Sequence, residues 1–343
     1  MTSPAERFAA AKLRGKHPLT IEFIEQFDFG FDDFQIAACQ AVEDGKGVLV
    51  AAPTGAGKTV VGEFAAFSAL AQGKKCFYTT PIKALSNQKF QEFVERFGED
   101  RVGLLTGDTN INSEADVLVM TTEVLRNMLY ANSSTLKNLG SVVMDEVHYL
   151  ADKSRGAVWE EVLIHLMESV QVISLSATVS NAEEFGDWLG EVRGSTEVIV
   201  SEVRPIPLYQ HVLIGDRLVD LFREQGRINP EILGLEREAM RQVRTPRHRR
   251  ERFGDGDNRL TRPDIIEKLQ RENLLPAITF IFSRAGCDAA VNQCLNAGLR
   301  LTNSEERAEI TKTALYYTQN LAEEDLAVLG FDQWLSALER GIA

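Results

Sequence analysis

The chain has 343 residues, of which 44% are hydrophobic and 25% are charged, so it has enough material for about two globular domains. Its formal net charge of -13 argues against nucleic-acid binding through overall attraction, although a local groove can still be basic. The N-terminal residues lack a continuous apolar segment, and no later apolar run approaches the roughly 20 residues that a membrane span needs. We therefore expect a cytoplasmic protein without a membrane partner.

The cysteines are spread along the chain without a metal-site pattern. Cys39 and Cys76 are isolated, and Cys287 and Cys294 lie seven residues apart with no histidine at ligand spacing. Zinc sites and redox motifs typically contain C-x-x-C pairs, which are missing here. We expect reduced thiols and no zinc.

Residues 1–26 carry no motif and are expected to form a lead-in or a helix laid on the first domain. The next segment, FDFGFDDFQ from Phe27 to Gln35, is unusually rich in aromatic residues. Phe29 can stack on adenine, and the Gln35 amide can both donate to and accept from the edge of the base. Core packing is the alternative role for these phenylalanines.

A phosphate-binding loop is predicted in VLVAAPTGAGKT, where the apolar run Val48–Val50 is typical of a strand covered on both faces. Gly55 and Gly57 allow main-chain N–H groups to close around phosphate oxygens. Lys58 can reach the β- and γ-phosphates, and the Thr59 hydroxyl can ligate Mg²⁺. A dinucleotide fingerprint is excluded, because it needs Gly where this chain has Val60. The strict phosphate-loop pattern begins with Gly where this chain has Ala, and the predicted nucleotide-binding residues are Ala52, Pro53, Thr54, Gly55, Ala56, Gly57, Lys58 and Thr59.

Strands and helices then alternate in the manner of a parallel α/β sheet. Helices are predicted from Lys58 to about Leu70 and up to Phe97, and strands at Cys76–Thr80, Val102–Leu105, Val117–Thr121, Ser141–Met144, Val172–Leu175 and Glu197–Val200. In a doubly wound sheet, ligands bind at the carboxyl ends of the strands. The polar residues that follow these strands are therefore the candidates for chemistry.

Two carboxylates follow the Ser141–Met144 strand, in the sequence DEVH. Beside a phosphate loop, Asp145 is suited to hold Mg²⁺, and Glu146 to orient and deprotonate the attacking water. The alternative is a pair of solvated loop acids. We prefer the catalytic interpretation because both acids directly follow a buried strand.

The order of the motifs carries a family resemblance. AAPTGAGKT, TTPIKALSNQ, TGD at Thr106–Asp108, TTEVL, DEVH and SAT together resemble the first motor domain of superfamily 2 DExH-box helicases. With Phe29 and Gln35 upstream, they look most like the superkiller-like RNA helicases. The resemblance covers about residues 27–343. It implies a RecA-like P-loop NTPase motor domain of parallel α/β type, with ATP and Mg²⁺ as cofactors, single-stranded RNA as a partner, and an RNA-degradation complex as a further candidate partner.

The resemblance also implies roles for individual residues. Lys58 and Thr59 would hold the phosphates and Mg²⁺, and Asp145 and Glu146 would act as described above. His148 and the triplet Ser176, Ala177 and Thr178 would couple hydrolysis to domain closure. The residues implied along the nucleic-acid strand are Pro81, Lys83, Ala84, Gly107, Thr121 and Thr122. Small hydroxyl groups and N–H donors at strand ends contact phosphates and sugars without reading bases, although a helix N-cap is the alternative for the two threonines.

The character of the chain changes after Val203. Leu208–Ile214 is predicted as the strand that leaves the first domain, which is expected to span 27–215, and a linker or insertion is expected over 216–263. That region contains an arginine-rich run over 241–252, expected to be solvated, with contact to RNA phosphates as the alternative. Ala277–Phe282 is predicted as a buried strand that opens an incomplete second RecA-like domain over 264–343. Its predicted helices are Cys287–Ala297, Glu305–Tyr317 and Asp332–Arg340.

In this family a Gln-x-x-Gly-Arg-x-Gly-Arg stretch supplies arginines to the γ-phosphate, and these 343 residues do not contain it. We therefore expect the N-terminal portion or a fragment of an ATP-dependent RNA helicase, which binds ATP better than it hydrolyses it. A DNA helicase of the same superfamily is an alternative, because backbone contacts barely distinguish the sugars. A non-catalytic, ATP-dependent RNA-binding fragment is another.

Overall fold

The computed structural model describes residues 15–177, 181–223, 226–243, 260–319 and 321–343. The described residues fall into two compact units, divided between Pro207 and Leu208. Thr178 lies outside the described residues, as does the arginine-rich run from Arg244 to Arg252. Among the residues that are described, no helix combines the length and apolarity that crossing a bilayer requires.

The first unit contains a sheet and its connecting helices. The strands are β1 (Gly47–Ala51), β2 (Lys75–Thr80), β3 (Val102–Leu105), β4 (Asn110–Ile111), β5 (Val117–Thr121), β6 (Leu139–Met144), β7 (Gln171–Ser176) and β8 (Thr196–Val200). The helices are α1 (Pro18–Ile24), α2 (Asp33–Glu43), α3 (Thr59–Ala71), α4 (Lys83–Phe97), α5 (Thr122–Tyr130), α6 (Gly156–His165) and α7 (Ala182–Arg193), with 3₁₀ turns at Glu99–Arg101, Ser134–Leu136 and Val147–Ala151.

The eight strands form one sheet in the order β4-β3-β5-β2-β6-β7-β1-β8. Every neighbouring pair is parallel except β3 and β4, which are antiparallel at one edge. The strands predicted in this unit are confirmed, with small extensions at their ends, whereas the short edge strand β4 was not predicted. The order brings the carboxyl ends of β1, β7 and β6 side by side, and those of β2, β5 and β3 beside them.

Both faces of the sheet are covered by helices. In β1, Val48 and Val50 pack into the core beneath α1 to α4, and Leu49 packs into the core beneath α5 to α7. Phe64 and Trp159, one in each core, are fully buried. Burying one large apolar side chain in this way stabilises the folded state by about 1.5 to 3 kcal/mol relative to leaving it exposed. Continuous apolar runs are buried on both faces in parallel sheets, and this architecture confirms the predicted α/β class.

The second unit contains a hairpin and helices. Strands β9 (His211–Ile214) and β10 (Arg217–Asp220) pair with each other antiparallel. The helices are α8 (Glu231–Val243), α9 (Arg262–Arg271), α10 (Arg284–Asn296), α11 (Ser304–Thr318), α12 (Glu323–Val328) and α13 (Phe331–Leu338). The three helices predicted near the end of the chain are confirmed as α10, α11 and α13. The predicted strand Leu208–Ile214 is shorter than expected, because only its last four residues find a partner in β10.

The prediction of a buried strand at Ala277–Phe282 is wrong. This segment has no regular secondary structure, and Ile278, Phe280 and Phe282 are 83%, 87% and 109% exposed. An apolar run becomes a strand only when a neighbouring strand satisfies its N–H and C=O groups. In the described part of this unit, β9 and β10 pair only with each other, so nothing pairs with this segment.

Candidate nucleotide site and nucleic-acid surface

The predicted phosphate loop joins β1 to the first turn of α3. Gly55 and Gly57 have φ angles of 86° and 80°, in the left-handed region that favours glycine. A Cβ atom at Gly57 would also lie 2.6 Å from Nε2 of Gln35, so a side chain here would push the Gln35 amide aside. Thr54, Gly55 and Gly57 are exposed, whereas Ala52, Pro53, Ala56 and Lys58 are buried.

Lys58 is held inside this loop by the loop's own carbonyl groups. Its ammonium donates to the main-chain oxygen of Ala52 at 2.7 Å and to that of Pro53 at 3.1 Å. Burial lowers the pKa of Lys58, and the carboxylates of Glu146 and Asp145 oppose that shift. The lysine and both acids are therefore close enough to influence one another's charge, as expected for residues at the carboxyl ends of strands in one parallel sheet.

The two acids follow β6 in a tight turn. The main-chain N–H of Asp145 donates to the main-chain oxygen of Thr79 at 3.0 Å, and Oδ1 of Asp145 accepts the main-chain N–H of Glu146 at 2.9 Å. Glu146 has φ 51° and ψ 43°, a left-handed conformation that is uncommon for residues other than glycine. Such backbone geometry clusters at functional sites, where the surroundings hold it in place.

The carboxylate of Glu146 is partly removed from water. Burial, together with the nearby Asp145 carboxylate, raises the pKa of Glu146, and His148, Lys58 and Lys89 oppose this rise. His148 Nδ1 lies 3.3 Å from Oε2 of Glu146. A carboxyl group with a raised pKa beside a phosphate loop is suited to accept a proton from water.

Two further predicted residues, Ser176 and Thr59, lie beside the phosphate loop. Ser176, at the end of β7, accepts the N–H of Ala52 at 3.1 Å, so the described part of the SAT triplet borders the phosphate loop. The Thr59 hydroxyl is 3.3 Å from Nζ of Lys89, which also contacts Glu92 at 2.5 Å. Lys89 was not predicted as a site residue. It lies on α4, and its ammonium reaches the Thr59 hydroxyl at the phosphate loop.

Gln35 braces the phosphate loop from α2. Its Nε2 donates to the main-chain oxygens of Gly57 at 3.1 Å and Ala56 at 3.4 Å, and its Oε1 accepts the N–H of Asp32 at 2.8 Å. The buried amide therefore joins the start of α2 to the loop. Phe29 is 55% exposed, and its ring also stacks on Phe31 and meets Phe27 edge-on, with ring centres 5.8 Å and 5.1 Å apart.

The other aromatic residues of this segment pack into the protein. Phe27 and Phe31 pack against the core, Phe34 is buried, and the guanidinium of Arg96 lies 4.3 Å from the ring centre of Phe27. Core packing therefore accounts for these three rings, whereas the partly exposed Phe29 remains the predicted stacking residue.

The residues predicted along nucleic acid lie at the ends of neighbouring strands. Pro81 follows β2, Lys83 and Ala84 begin α4, Gly107 follows β3, and Thr121 and Thr122 join β5 to α5. Lys83 and Ala84 are exposed, as is Gly107. Thr122 is fully buried, and its hydroxyl donates to the main-chain oxygen of Thr80 at 3.3 Å. Its side chain is therefore not available to a ligand in this structure.

Ion pairs that were not predicted connect these segments. Lys83 forms a close ion pair with Asp108 in the TGD turn. The guanidinium of Arg155 donates to the main-chain oxygen of Pro81 at 2.5 Å and forms a close ion pair with Glu123 on α5. Asp108 belongs to a motif that was singled out, but no local pattern marks Arg155 as a link between distant segments.

The donor set of this site fits a magnesium nucleotide. The loop has glycines at positive φ, a buried lysine faces the phosphate position, and a hydroxyl and a carboxylate supply oxygen ligands of the kind that Mg²⁺ takes. The residues that would hold the cofactor are Gln35, Lys58, Thr59 and Asp145, with the loop main chain. The fold and site together define a P-loop nucleotide-binding protein.

Comparisons with known proteins narrow that class. Residues 32–185 match the DEAD/DEAH box helicase family. The chain is 56% identical to "Probable helicase HelY" of Mycobacterium leprae, over 94% of this chain and 36% of the relative. It is 42% identical to "DExH-box ATP-dependent RNA helicase DExH15 chloroplastic" of Arabidopsis thaliana, over 84% of this chain and 28% of the relative. It is 32% identical to "Antiviral helicase SKI2" of Saccharomyces cerevisiae, over 100% of this chain and 32% of the relative.

The chain thus spans about a third of the length of these relatives. Among solved structures, it is similar to Mycobacterium smegmatis helicase Lhr bound to ssDNA and AMP-PNP, with 26% identity and a TM-score of 0.50, over 83% of this chain and 41% of that one. The chain contains a RecA-like DEAD/DEAH box helicase domain, and its relatives include HelY and superkiller-type helicases.

Proposed function

We propose that this chain is the ATP-binding portion of an ATP-dependent RNA helicase. The observation that carries the proposal is the meeting of Lys58, Asp145 and Glu146 at one edge of the sheet, where each changes the electrostatic environment of another. Lys58 would exchange its contacts to Ala52 and Pro53 for contacts to the β- and γ-phosphates. Thr59 and Asp145 would hold Mg²⁺, which neutralises charge on the phosphates when it is bound. Glu146 would orient the attacking water and accept its proton.

The nucleic-acid surface would bind the backbone of a single strand. Helices α4 and α5 begin directly after the neighbouring strands β2 and β5, and their first N–H groups have no partner within the helix. Such helix starts favour phosphate groups, and they contact the backbone without reading bases. Because Lys83 is paired with Asp108, these helix starts are the source of positive potential at this surface of an acidic chain.

RNA is the proposed substrate because a relative that is 42% identical to this chain is an RNA helicase by name, whereas Lhr is 26% identical. A DNA helicase is the second candidate, because the similar Lhr structure contains ssDNA. Coupling would pass through His148 and the Ser176–Thr178 triplet. The proposal also includes a second motor domain that begins within 264–343, a cytoplasmic location, and membership of an RNA-degradation complex.

The proposal is tested by phosphate release from ATP in the longest natural form of the protein that contains this chain. We expect single-stranded RNA to stimulate turnover more than DNA of the same sequence. We also expect Glu146→Gln to abolish turnover while Mg²⁺ and ATP still bind, because the amide keeps the shape but cannot accept the proton. Equal stimulation by DNA would favour the second candidate. Nucleotide-linked RNA binding without turnover in the wild type would reduce the protein to a binding module.

A further inference from the structure

Tyr78 makes a contact that the proposed reaction does not account for. It lies on β2, fully buried, and its hydroxyl donates to Oδ2 of Asp145 at 2.7 Å. The other carboxylate oxygen, Oδ1, accepts the N–H of Glu146 at 2.9 Å. Both oxygens of Asp145 are therefore engaged from fixed positions, one by a phenol on the neighbouring strand and one by the next residue in the chain.

The ring of Tyr78 is built into the packing between the sheet and two helices. A Cβ atom at Gly62 on α3 would lie 2.7 Å from Cε2 of Tyr78, so the absence of a side chain at Gly62 makes room for the ring. On the other side, the ring packs edge-on against Phe93 of α4, with ring centres 5.1 Å apart. These contacts hold the ring in one place, and the ring in turn holds its hydroxyl against Asp145.

Apolar packing alone does not require the hydroxyl. A phenylalanine would fill the same space, whereas a buried tyrosine hydroxyl costs free energy unless it finds a partner. The partner here is the carboxylate proposed to hold Mg²⁺. Groups that hydrogen-bond to metal ligands fix the orientation of those ligands, and removing them typically lowers metal affinity by about 10- to 100-fold.

We propose that Tyr78 is a positioning residue that holds the Asp145 carboxylate in the orientation needed to bind the metal ion of the nucleotide complex. This inference rests on the proposed function, since it takes Asp145 as the residue that holds the metal. Tyr78 itself touches neither nucleotide nor metal. Its hydroxyl acts on the reaction only through the carboxylate.

The test measures binding of ATP as a function of metal concentration in the full chain, with Mn²⁺ bound to the complex followed by electron paramagnetic resonance. In Tyr78→Phe we expect the metal concentration for half-maximal ATP binding to rise about tenfold, because a ligand-orienting hydrogen bond is lost. The affinity for ATP without metal should stay at the wild-type value, since Lys58 and the loop glycines are unchanged. A general loss of structure would instead weaken both.

Thr79→Val is the matched control. Thr79 is the next residue on β2, equally buried, and its hydroxyl donates to the main-chain oxygen of Val143 at 3.1 Å rather than to Asp145. The Thr79→Val variant therefore loses a buried hydrogen bond on the same strand, while the hydrogen bonds to the Asp145 carboxylate remain. A wild-type metal dependence in Tyr78→Phe, or an equal shift in Thr79→Val, would overturn the inference.

Asp145→Asn separates this inference from the function on which it rests. If Asp145→Asn weakens metal-dependent binding and Tyr78→Phe does not, only the positioning role of Tyr78 fails. If Asp145→Asn leaves the metal dependence unchanged, Asp145 does not hold the metal, and the proposed nucleotide chemistry fails with it.

Discussion

The ammonium of Lys58 donates to the main-chain oxygen of Ala52 at 2.7 Å, at the position where the strict phosphate-loop pattern has glycine. The contact uses only the main chain of Ala52, so the missing glycine leaves the loop's hold on its lysine intact. Burial lowers the pKa of Lys58, which means that the folded protein tolerates this charge at a cost. A phosphate group is a better partner for a buried ammonium than a carbonyl group, because the bond is charge-assisted.

Lys58→Ala should therefore weaken ATP binding by about tenfold or more, since hydrogen bonds to charged groups contribute roughly 1.5 to 3 kcal/mol. Thermal stability should be unchanged or slightly higher, because a buried charge is removed. Calorimetric titration and thermal unfolding check both results. Lys46→Ala is the control, since Lys46 forms an exposed ion pair with Glu197 outside the loop. Wild-type affinity in a folded Lys58→Ala protein would refute the nucleotide assignment.

Gln35→Ala should weaken ATP binding and reduce the preference for ATP over GTP. The amide braces Gly57 and is the predicted reader of the adenine edge, so truncation removes both contributions. Phe29→Ala should weaken ATP and GTP alike, because stacking is nearly independent of base identity. Competition between the two nucleotides for each variant provides the measurement. Full discrimination in Gln35→Ala would leave the amide with only its structural role in the loop.

Arg155→Ala should weaken single-stranded RNA binding several-fold without changing ATP affinity. Arg155 ties the main chain of Pro81 to Glu123, so its loss lets the starts of α4 and α5 move independently. Arg155→Lys should recover part of the binding, because a single nitrogen, Nη2, makes both contacts of Arg155. Fluorescence anisotropy with a labelled strand measures the effect. Arg126→Ala is the control on α5, where Arg126 pairs with Glu161, and an equal loss in this variant would show that general charge reduction is responsible.

Chymotrypsin should cut first at Phe280 or Phe282 among the described phenylalanines. Both are exposed in a segment without regular structure, whereas Phe93 and Phe77 are buried in the sheet domain. Protease access requires local opening, which costs little in such a segment and much in a core. We expect a resistant product of roughly residues 15–207, identified by mass spectrometry, because Phe23 of α1 is buried in the first core and β9 belongs to the second unit. Early cleavage at Phe93 would contradict the placement of the stable core in the first unit.

The strands, the loop glycines and the acidic pair could be read from the sequence because each is encoded by adjacent residues. The apolar run Val48–Val50 indicates a strand covered on both faces, and Gly55 and Gly57 mark positions where φ must be positive. The same local reasoning was wrong at Ala277–Phe282. The run is apolar, but a strand also needs a neighbour, and no property of the run itself says whether one is beside it.

The sequence by itself thus determined the α/β class, the phosphate loop and the motif order that places the chain among the helicases. Only the tertiary structure decided which distant residues meet. Tyr78 reaches Asp145 across 67 positions, and Arg155 reaches Pro81 across 74. These contacts depend on the order of the strands in the sheet, which is set by how the helices pack on its two faces and not by any local pattern of residues.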